Sequence, residues 1–266
     1  MLPKLIATDI DHTFLTDAGH YDHQRFTKIY QQLADRNIRF VIASGNQKYH
    51  LTNLFPDYPD LIYVAENGAY VSDRTQAYAL TTFSDDVASE VISRLTADSK
   101  YHFSMCNPEM AFIRKTEPEP VLATARKFCD RLTLVDDLQD SAHHIVKFTL
   151  NAPADELAAL YDDVKQLLGP LVAPMTSGHT SIDLVYPGVN KATGLQTLGD
   201  KLGISTAEMW AFGDDRNDVP MLAEVGRGIA VANAVPAVQA VSDDTAPAAN
   251  EQGVLQYLEQ ALAAEK

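Results

Sequence analysis

A chain of 266 residues can bury a sizeable core, as one large domain or two modest ones. Its formal net charge of −15 leaves no basic footprint for nucleic acid or an anionic membrane surface, so neither is an expected partner. No run approaches the roughly 18 apolar residues of a membrane span. The start, MLPKLIATDID, lacks a signal-peptide core, so a cytoplasmic, soluble protein is expected. Cys106 and Cys129 lie far apart with no C-x-x-C spacing and read as reduced thiols.

Leu5, Ile6 and Ala7 form an apolar run too short for a helix, which predicts a buried, parallel strand. It runs into Asp9 and Asp11, two residues apart. On an extended backbone both carboxylates point to one side. Such a pair asks for a cation between its charges, and Mg²⁺, which takes one or two carboxylates and keeps sites for water and phosphate, suits it. The plainer alternative is a strand ending in an Asp-rich turn.

Residues 22–36 read as an amphipathic helix, with Phe26, Ile29, Tyr30 and Leu33 at helical spacing. A strand over 38–46 follows and ends in Ser44, Gly45 and Asn46. A short helix over 47–55 stops at Pro56. A third strand breaks at Glu66, Asn67 and Gly68, where glycine signals a tight turn, and a hairpin returns over 77–80. This alternation is that of a parallel sheet with crossover helices.

From about Ser84 the rhythm changes. Helices are expected over 85–97, 120–131 and 154–168, and strands over 101–106, 110–115, 132–137 and 143–151. Two more strands flank a polar turn of Thr176, Ser177, Gly178 and His179. Strands and helices grouped in this way suggest an α+β module. Alternation then resumes, with helices over 191–202, 219–224, 236–241 and 254–264 and strands at EMWAFGDD and GIAVAN. Residues 245–249 are expected to be a surface connection. The ends of the chain thus form one α/β domain, residues 1–81 and 189–266, around an insert over 82–188.

Polar groups gather at four predicted strand ends: Asp9 and Asp11, Ser44 and Gly45, Lys191, and the stretch Gly213, Asp214, Asp215, Arg216, Asn217, Asp218. This set, DIDHT, ASGN, VNKATGL and GDDRND in order, resembles the haloacid dehalogenase-like hydrolases. More narrowly it resembles their Cof-type sugar-phosphatase branch. ENGA at residues 66–69, and Ala232, Asn233, Asn250 and Gly253 late in the chain, resemble further features of that branch.

The resemblance implies a Rossmann-like core with an inserted α+β cap. It implies an Mg²⁺-dependent phosphatase acting on a small phosphorylated metabolite, with a sugar phosphate the leading class. Asp9 would be the nucleophile and Asp11 the general acid and base. Asp9, the backbone carbonyl of Asp11 and Asp214 would hold Mg²⁺. Ser44, Gly45 and Lys191 would hold phosphate, Lys191 would also pair with Asp9, and Asn217 would join the substrate-binding set. Asp218 would orient the site from behind. His179 is the candidate to overhang the site and read a sugar hydroxyl.

Each residue has a plainer reading. Lys191 would then be an exposed residue in a helix's first turn and Ser44 a turn serine. Asp215 is read as a helix N-cap. His143 and His144 are read as strand-end surface residues, and the eight histidines show no metal-ligand spacing. Two departures from the family stand out. His12 replaces its usual Gly, and Asn46 replaces the Arg of its Gly-Arg pair. Neither is expected to touch the chemistry directly. A phosphotransferase or mutase on the same core, and a phospho-aspartate switch, are the alternative functions.

Overall fold

The computed structural model of the protein describes residues 2–177 and 180–264. The first apolar run is β1 (Leu5–Thr8), buried at every position as a central parallel strand should be. Asp22 caps α1 (His23–Ala34) through the backbone N–H of Arg25. Then follow β2 (Arg39–Ala43), α2 (Lys48–Leu54), β3 (Ile62–Ala65), β4 (Tyr70–Ser72) and β5 (Ala77–Leu80).

The middle of the chain supplies α3 (Asp85–Thr96), β6 (Phe103–Cys106), β7 (Ala111–Arg114), α4 (Glu119–Phe128), β8 (Leu132–Val135), β9 (Lys147–Asn151), α5 (Leu157–Leu168), β10 (Ala173–Ser177) and β11 (Ser181–Val185). The remainder is α6 (Lys191–Leu202), β12 (Met209–Gly213), α7 (Val219–Glu224), β13 (Arg227–Val231), α8 (Pro236–Gln239), β14 (Asp244–Ala246) and α9 (Gly253–Ala264).

The larger sheet has the order β14-β13-β12-β1-β2-β3-β4-β5. Its strands are parallel from β14 to β3, and β4 and β5 add an antiparallel edge. From β1 the chain passes to β2 on one side and, much later, to β12 on the other. The carboxyl end of β1 is therefore a topological switch point, where open α/β sheets bind ligands.

The second sheet has the order β10-β11-β9-β6-β7-β8 and is antiparallel except for β7 with β8. It has its own core, in which Phe148 and Leu150 of β9 meet Val91 and Leu95 of α3 and Val164 and Leu168 of α5. Strand alternation then turns Lys147, Thr149 and Asn151 to the opposite face.

Three expectations are corrected. The strand expected over 143–151 begins only at Lys147, because His144 takes a left-handed φ of 56° and breaks the extended run. The expected surface connection over 245–249 contains the end of β14, which pairs with β13. Only Ala246 of that strand is buried, so no local pattern announces it; its partner strand makes it. Helix α4 also stops at Phe128, short of 131, where Cys129 leaves helical backbone.

Aromatic rings lock the floor under the end of β1. Phe14 lies 5.0 Å from Phe26, Phe26 lies 5.2 Å from Phe40, and Tyr21 stacks on Phe55 at 5.1 Å. Phe26 is fully buried at their centre. Phe26→Ala should cost about 3–5 kcal/mol of stability. Urea unfolding followed by far-UV circular dichroism measures it, and a loss well under 1 kcal/mol would mean that the cluster does not pin this loop.

Candidate active site

The acids after β1 differ in burial. Asp9 is still held to the sheet, its N–H donating to the carbonyl of Phe212 at 3.0 Å, and it is buried. The chain then turns, and His12 takes a left-handed φ of 60°. The turn begins at Asp11, where the sequence predicts extended backbone, and both acids border one cavity. Asp11 is exposed, and its Oδ2 accepts from Asn46 Nδ2 at 2.7 Å. Asn46 therefore does touch the expected acid-base group, contrary to the sequence-based reading. His12 is explained by its backbone: it occupies a conformation that usually favours glycine.

Lys191 opens α6, whose N-terminus is fixed by a capping box between Asn190 and Thr193. It is fully buried, not an exposed first-turn lysine. Its Nζ donates to Asp9 Oδ1 at 2.5 Å and to Asp218 Oδ1 at 2.6 Å. Asp218 Oδ2 accepts from the N–H groups of Asp214 at 3.0 Å and Asp215 at 3.2 Å. A Cβ on Gly213 would fall 2.6 Å from the Asp218 side chain, so only glycine lets this loop fold back so tightly. Asp215 caps the short 3₁₀ turn Arg216–Asp218, as its plainer reading had it. Thr13 Oγ1 donates to Asp214 Oδ1 at 2.6 Å.

Asp9, Asp214 and Asp218 form a buried group whose ligand oxygens lie within 4.8 Å of one another. Three carboxylates thus face the single ammonium of Lys191. Burial, opposed by Lys191 and reinforced by Asp218 and Asp214, pushes Asp9 well above the usual carboxylate range. Burial and then the charge of Asp218 push Asp214 up to about 7. Burial alone would lower the Lys191 ammonium; Asp218 and Asp9 outweigh it and hold it above the usual lysine range. Excess buried negative charge on oxygen donors fits a hard divalent cation. Both oxygens of Asp218 are already engaged, whereas Thr13 engages only one oxygen of Asp214. The donor set left for a cation is therefore Asp9 and Asp214, with Asp218 bracing them.

Ser44, at the end of β2, is buried, and its Oγ accepts from the N–H of Asn46 at 3.1 Å. A cavity of about 600 Å³ joins Asp9, Asp11, Ser44, Gly45, Asp214 and Asn217. Its opposite wall is the outer face of the second sheet, with Ser104, Cys106, Lys147, Thr149, Asn151 and Asp183. Asn217 does border the cavity, yet its Nδ2 is given to Asn67 Oδ1 at 3.1 Å. His179 lies outside the described residues; Thr180 and Ser181 beside it line the cavity.

Thr13, Lys147 and the hydroxyls of β6 and β9 were not singled out from the sequence. For Lys147 there was a signal, a lone charge inside the apolar run IVKF. Asn233, by contrast, explains the late motif: its Nδ2 donates to the carbonyl of His12 at 2.8 Å, and its Oδ1 accepts from the N–H of Ala249 at 2.8 Å.

Removing one partner of a buried ion group costs about 3–5 kcal/mol. Lys191→Met should cost that much in the absence of divalent cations, since it leaves the three acids without an ammonium. Urea titration with a chelator present checks this, and unchanged stability would show that Lys191 does not compensate the acids.

Comparison with known proteins gives the same picture over the whole chain. The family described as haloacid dehalogenase-like hydrolase matches residues 6–258. The 5-amino-6-(5-phospho-D-ribitylamino)uracil phosphatase YbjI of Escherichia coli (strain K12) is 34% identical, over 97% of this chain and 96% of that protein. The HMP-PP phosphatase of Klebsiella pneumoniae (strain 342) is 27% identical, over 90% of this chain and 88% of that protein. The crystal structure of SMU.1108c from Streptococcus mutans UA159 superposes with a TM-score of 0.92 at 30% identity, covering 98% of this chain and 99% of that one. No helix among the described residues is long and apolar enough to cross a membrane. With its strand-end acids, buried lysine and full-length match, the chain belongs to the haloacid dehalogenase-like hydrolases, in their Cof-type branch, and is a phosphatase.

Proposed function

We propose that this phosphatase hydrolyses a small phosphorylated sugar or polyol, with Mg²⁺, through a phosphoryl group carried transiently on Asp9. The observation that carries the reading is the state of Asp9. One of its oxygens is fixed by Lys191, and the other has no protein hydrogen bond among the described residues. A carboxylate so oriented can attack phosphorus and split one very slow hydrolysis into two easier steps. Asp9 Oδ2 forms the bond to phosphorus while the bond to the leaving alcohol breaks. Asp11, at the cavity wall and held by Asn46, gives that alcohol a proton and later takes one from the water whose oxygen bonds to phosphorus as the bond to Asp9 Oδ2 breaks, releasing phosphate. Ser44 and the N–H of Gly45 hold phosphate oxygens at the end of β2. Asp9, Asp214 and the backbone carbonyl of Asp11 would hold Mg²⁺, braced by Asp218 and Thr13. Bound there, Mg²⁺ supplies the positive charge that lets a carboxylate approach a phosphate dianion.

The substrate class is argued from the facing wall, which we assign to an inserted cap over residues 82–188. The core ends of the strands treat all monoesters alike, so discrimination falls to the groups that meet the leaving alcohol. Ser104 is 7% exposed, lines the cavity, and its hydroxyl has no protein partner among the described residues. Thr149 and Asn151 stand on the same face. Such a wall suits a hydroxylated carbon chain. The Escherichia coli relative is named for a phosphorylated ribityl chain, which is of this kind. His179 remains a candidate for the same contact through its place beside Thr180 and Ser181.

Asp9→Asn should abolish turnover of para-nitrophenyl phosphate with the fold retained, and chelation should abolish it in the native protein. Activity that survives both would exclude the mechanism. For Ser104→Ala, kcat/KM should fall about tenfold or more for the best sugar or polyol phosphate. Para-nitrophenyl phosphate, which has no hydroxyls to read, should be nearly unaffected. Equal losses on both would take Ser104 out of the specificity contact.

A further inference from the structure

The turn of Glu66, Asn67 and Gly68 has no part in the chemistry above, yet its backbone is unusual. All three residues have left-handed φ, of 50°, 55° and 102°. Glu66 and Asn67 are buried. Two consecutive non-glycine residues in this region persist only where the surroundings hold them, and such strain gathers at functional sites. A Cβ on Gly68 would fall 2.1 Å from the carbonyl oxygen of Asn190, the cap residue that starts the helix of Lys191. The N–H of Asn67 donates to the carbonyl of Ser44 at 3.0 Å, and that of Glu66 to the carbonyl of Asn46 at 3.2 Å. One turn thus braces both the Ser44 loop and the Lys191 helix.

The second sheet grips this turn from the other side. Lys147 of β9 is buried, and its Nζ lies 2.8 Å from Glu66 Oε2 and 3.5 Å from Asp183 Oδ2. The same Nζ donates to the carbonyl of Gly45. Asn67 Nδ2 donates to Asp183 Oδ2 at 2.6 Å, and Thr149 Oγ1 donates to Asp183 Oδ1 at 2.7 Å. Asn217 completes the chain of contacts through Asn67.

We infer that Lys147 is a positioning residue of the phosphatase reaction. Its ammonium completes the Ser44, Gly45 and Asn46 loop only when the second sheet is docked on the turn at Glu66. The loop that holds phosphate is therefore set by docking of the wall that reads the leaving group. The inference rests on the phosphatase reading above for its kinetic consequence, but not for its structural one. A lone cation shared by Glu66, Asp183 and the Gly45 carbonyl has no neutral substitute: without it the loop loses a donor and two buried acids lose their counter-charge.

The test is Lys147→Met beside Lys147→Arg. The readouts are amide exchange over residues 44–47 and 66–68, inhibition by inorganic phosphate, and kcat/KM on para-nitrophenyl phosphate and on a sugar phosphate. In Lys147→Met, exchange should quicken at both segments. Phosphate inhibition and kcat/KM should weaken together, by up to about 100-fold, the scale that a misplacement of about 1 Å costs. The kinetic loss should be equal on both substrates, because the loop is common to them, and Lys147→Arg should recover part of it. Native exchange and native phosphate inhibition in Lys147→Met would overturn the inference. So would a loss confined to the sugar phosphate, which would make Lys147 a leaving-group contact. If Lys147→Met does not fold, Lys147→Met with Glu66→Gln removes the ion pair without stranding Glu66, and the same readings apply. Failure of that double variant to fold would make the pair purely structural and overturn the inference. If the native protein turns over no phosphate ester with Mg²⁺, the proposed function fails, and the exchange arm alone decides on Lys147.

Discussion

The buried ammonium of Lys191 is the interaction on which the site depends. It draws Asp9 and Asp218 together from elements far apart in sequence. Without it, like charges in a medium of low dielectric would repel strongly. With it, the group remains rich in negative charge, as the raised proton affinities of Asp9 and Asp214 show. A site built this way is short of positive charge, and a divalent cation is its natural complement.

The fold delivers these groups by a simple rule. Parallel strands β1, β2 and β12 all point their carboxyl ends at one place, so Asp9, Ser44 and Asp214 meet there without any long loop. The antiparallel second sheet works differently. Its alternation puts Phe148 and Leu150 into a core and frees Lys147, Thr149 and Asn151 to face the cavity. In the proposed reading, chemistry is thus built on strand ends and recognition on a strand face. Rigid elements carry both, which suits a reaction that depends on position.

Strand-end motifs were legible in the sequence because each is local: an apolar run, then a polar group that the run alone explains poorly. The family resemblance and the mixed α/β architecture were legible for the same reason, since they rest on order and spacing along the chain. What escaped depends on distant partners. Thr13 gains its role only from Asp214, which lies 201 positions later. Strand β14 exists only through β13, and its own residues carry no periodic pattern. The hydrogen bond from Asn46 to Asp11 joins residues 35 positions apart, which no local pattern discloses. Lys147 was visible as an anomaly within an apolar run, but its three partners come from Gly45, Glu66 and Asp183, which only the tertiary structure joins.

The most direct measurement of the central claim is chemical trapping of the phosphorylated enzyme. The protein is mixed with Mg²⁺ and an excess of a turned-over phosphate ester, quenched with acid, reduced with borohydride and mapped by peptide mass spectrometry. An acyl phosphate is reduced at the carboxyl carbon, so the account predicts conversion of the side chain at position 9 to that of homoserine, and nowhere else. Conversion at Asp11, Asp214 or Asp218, or a peptide unchanged at position 9 while turnover proceeds with inversion at phosphorus, would contradict it.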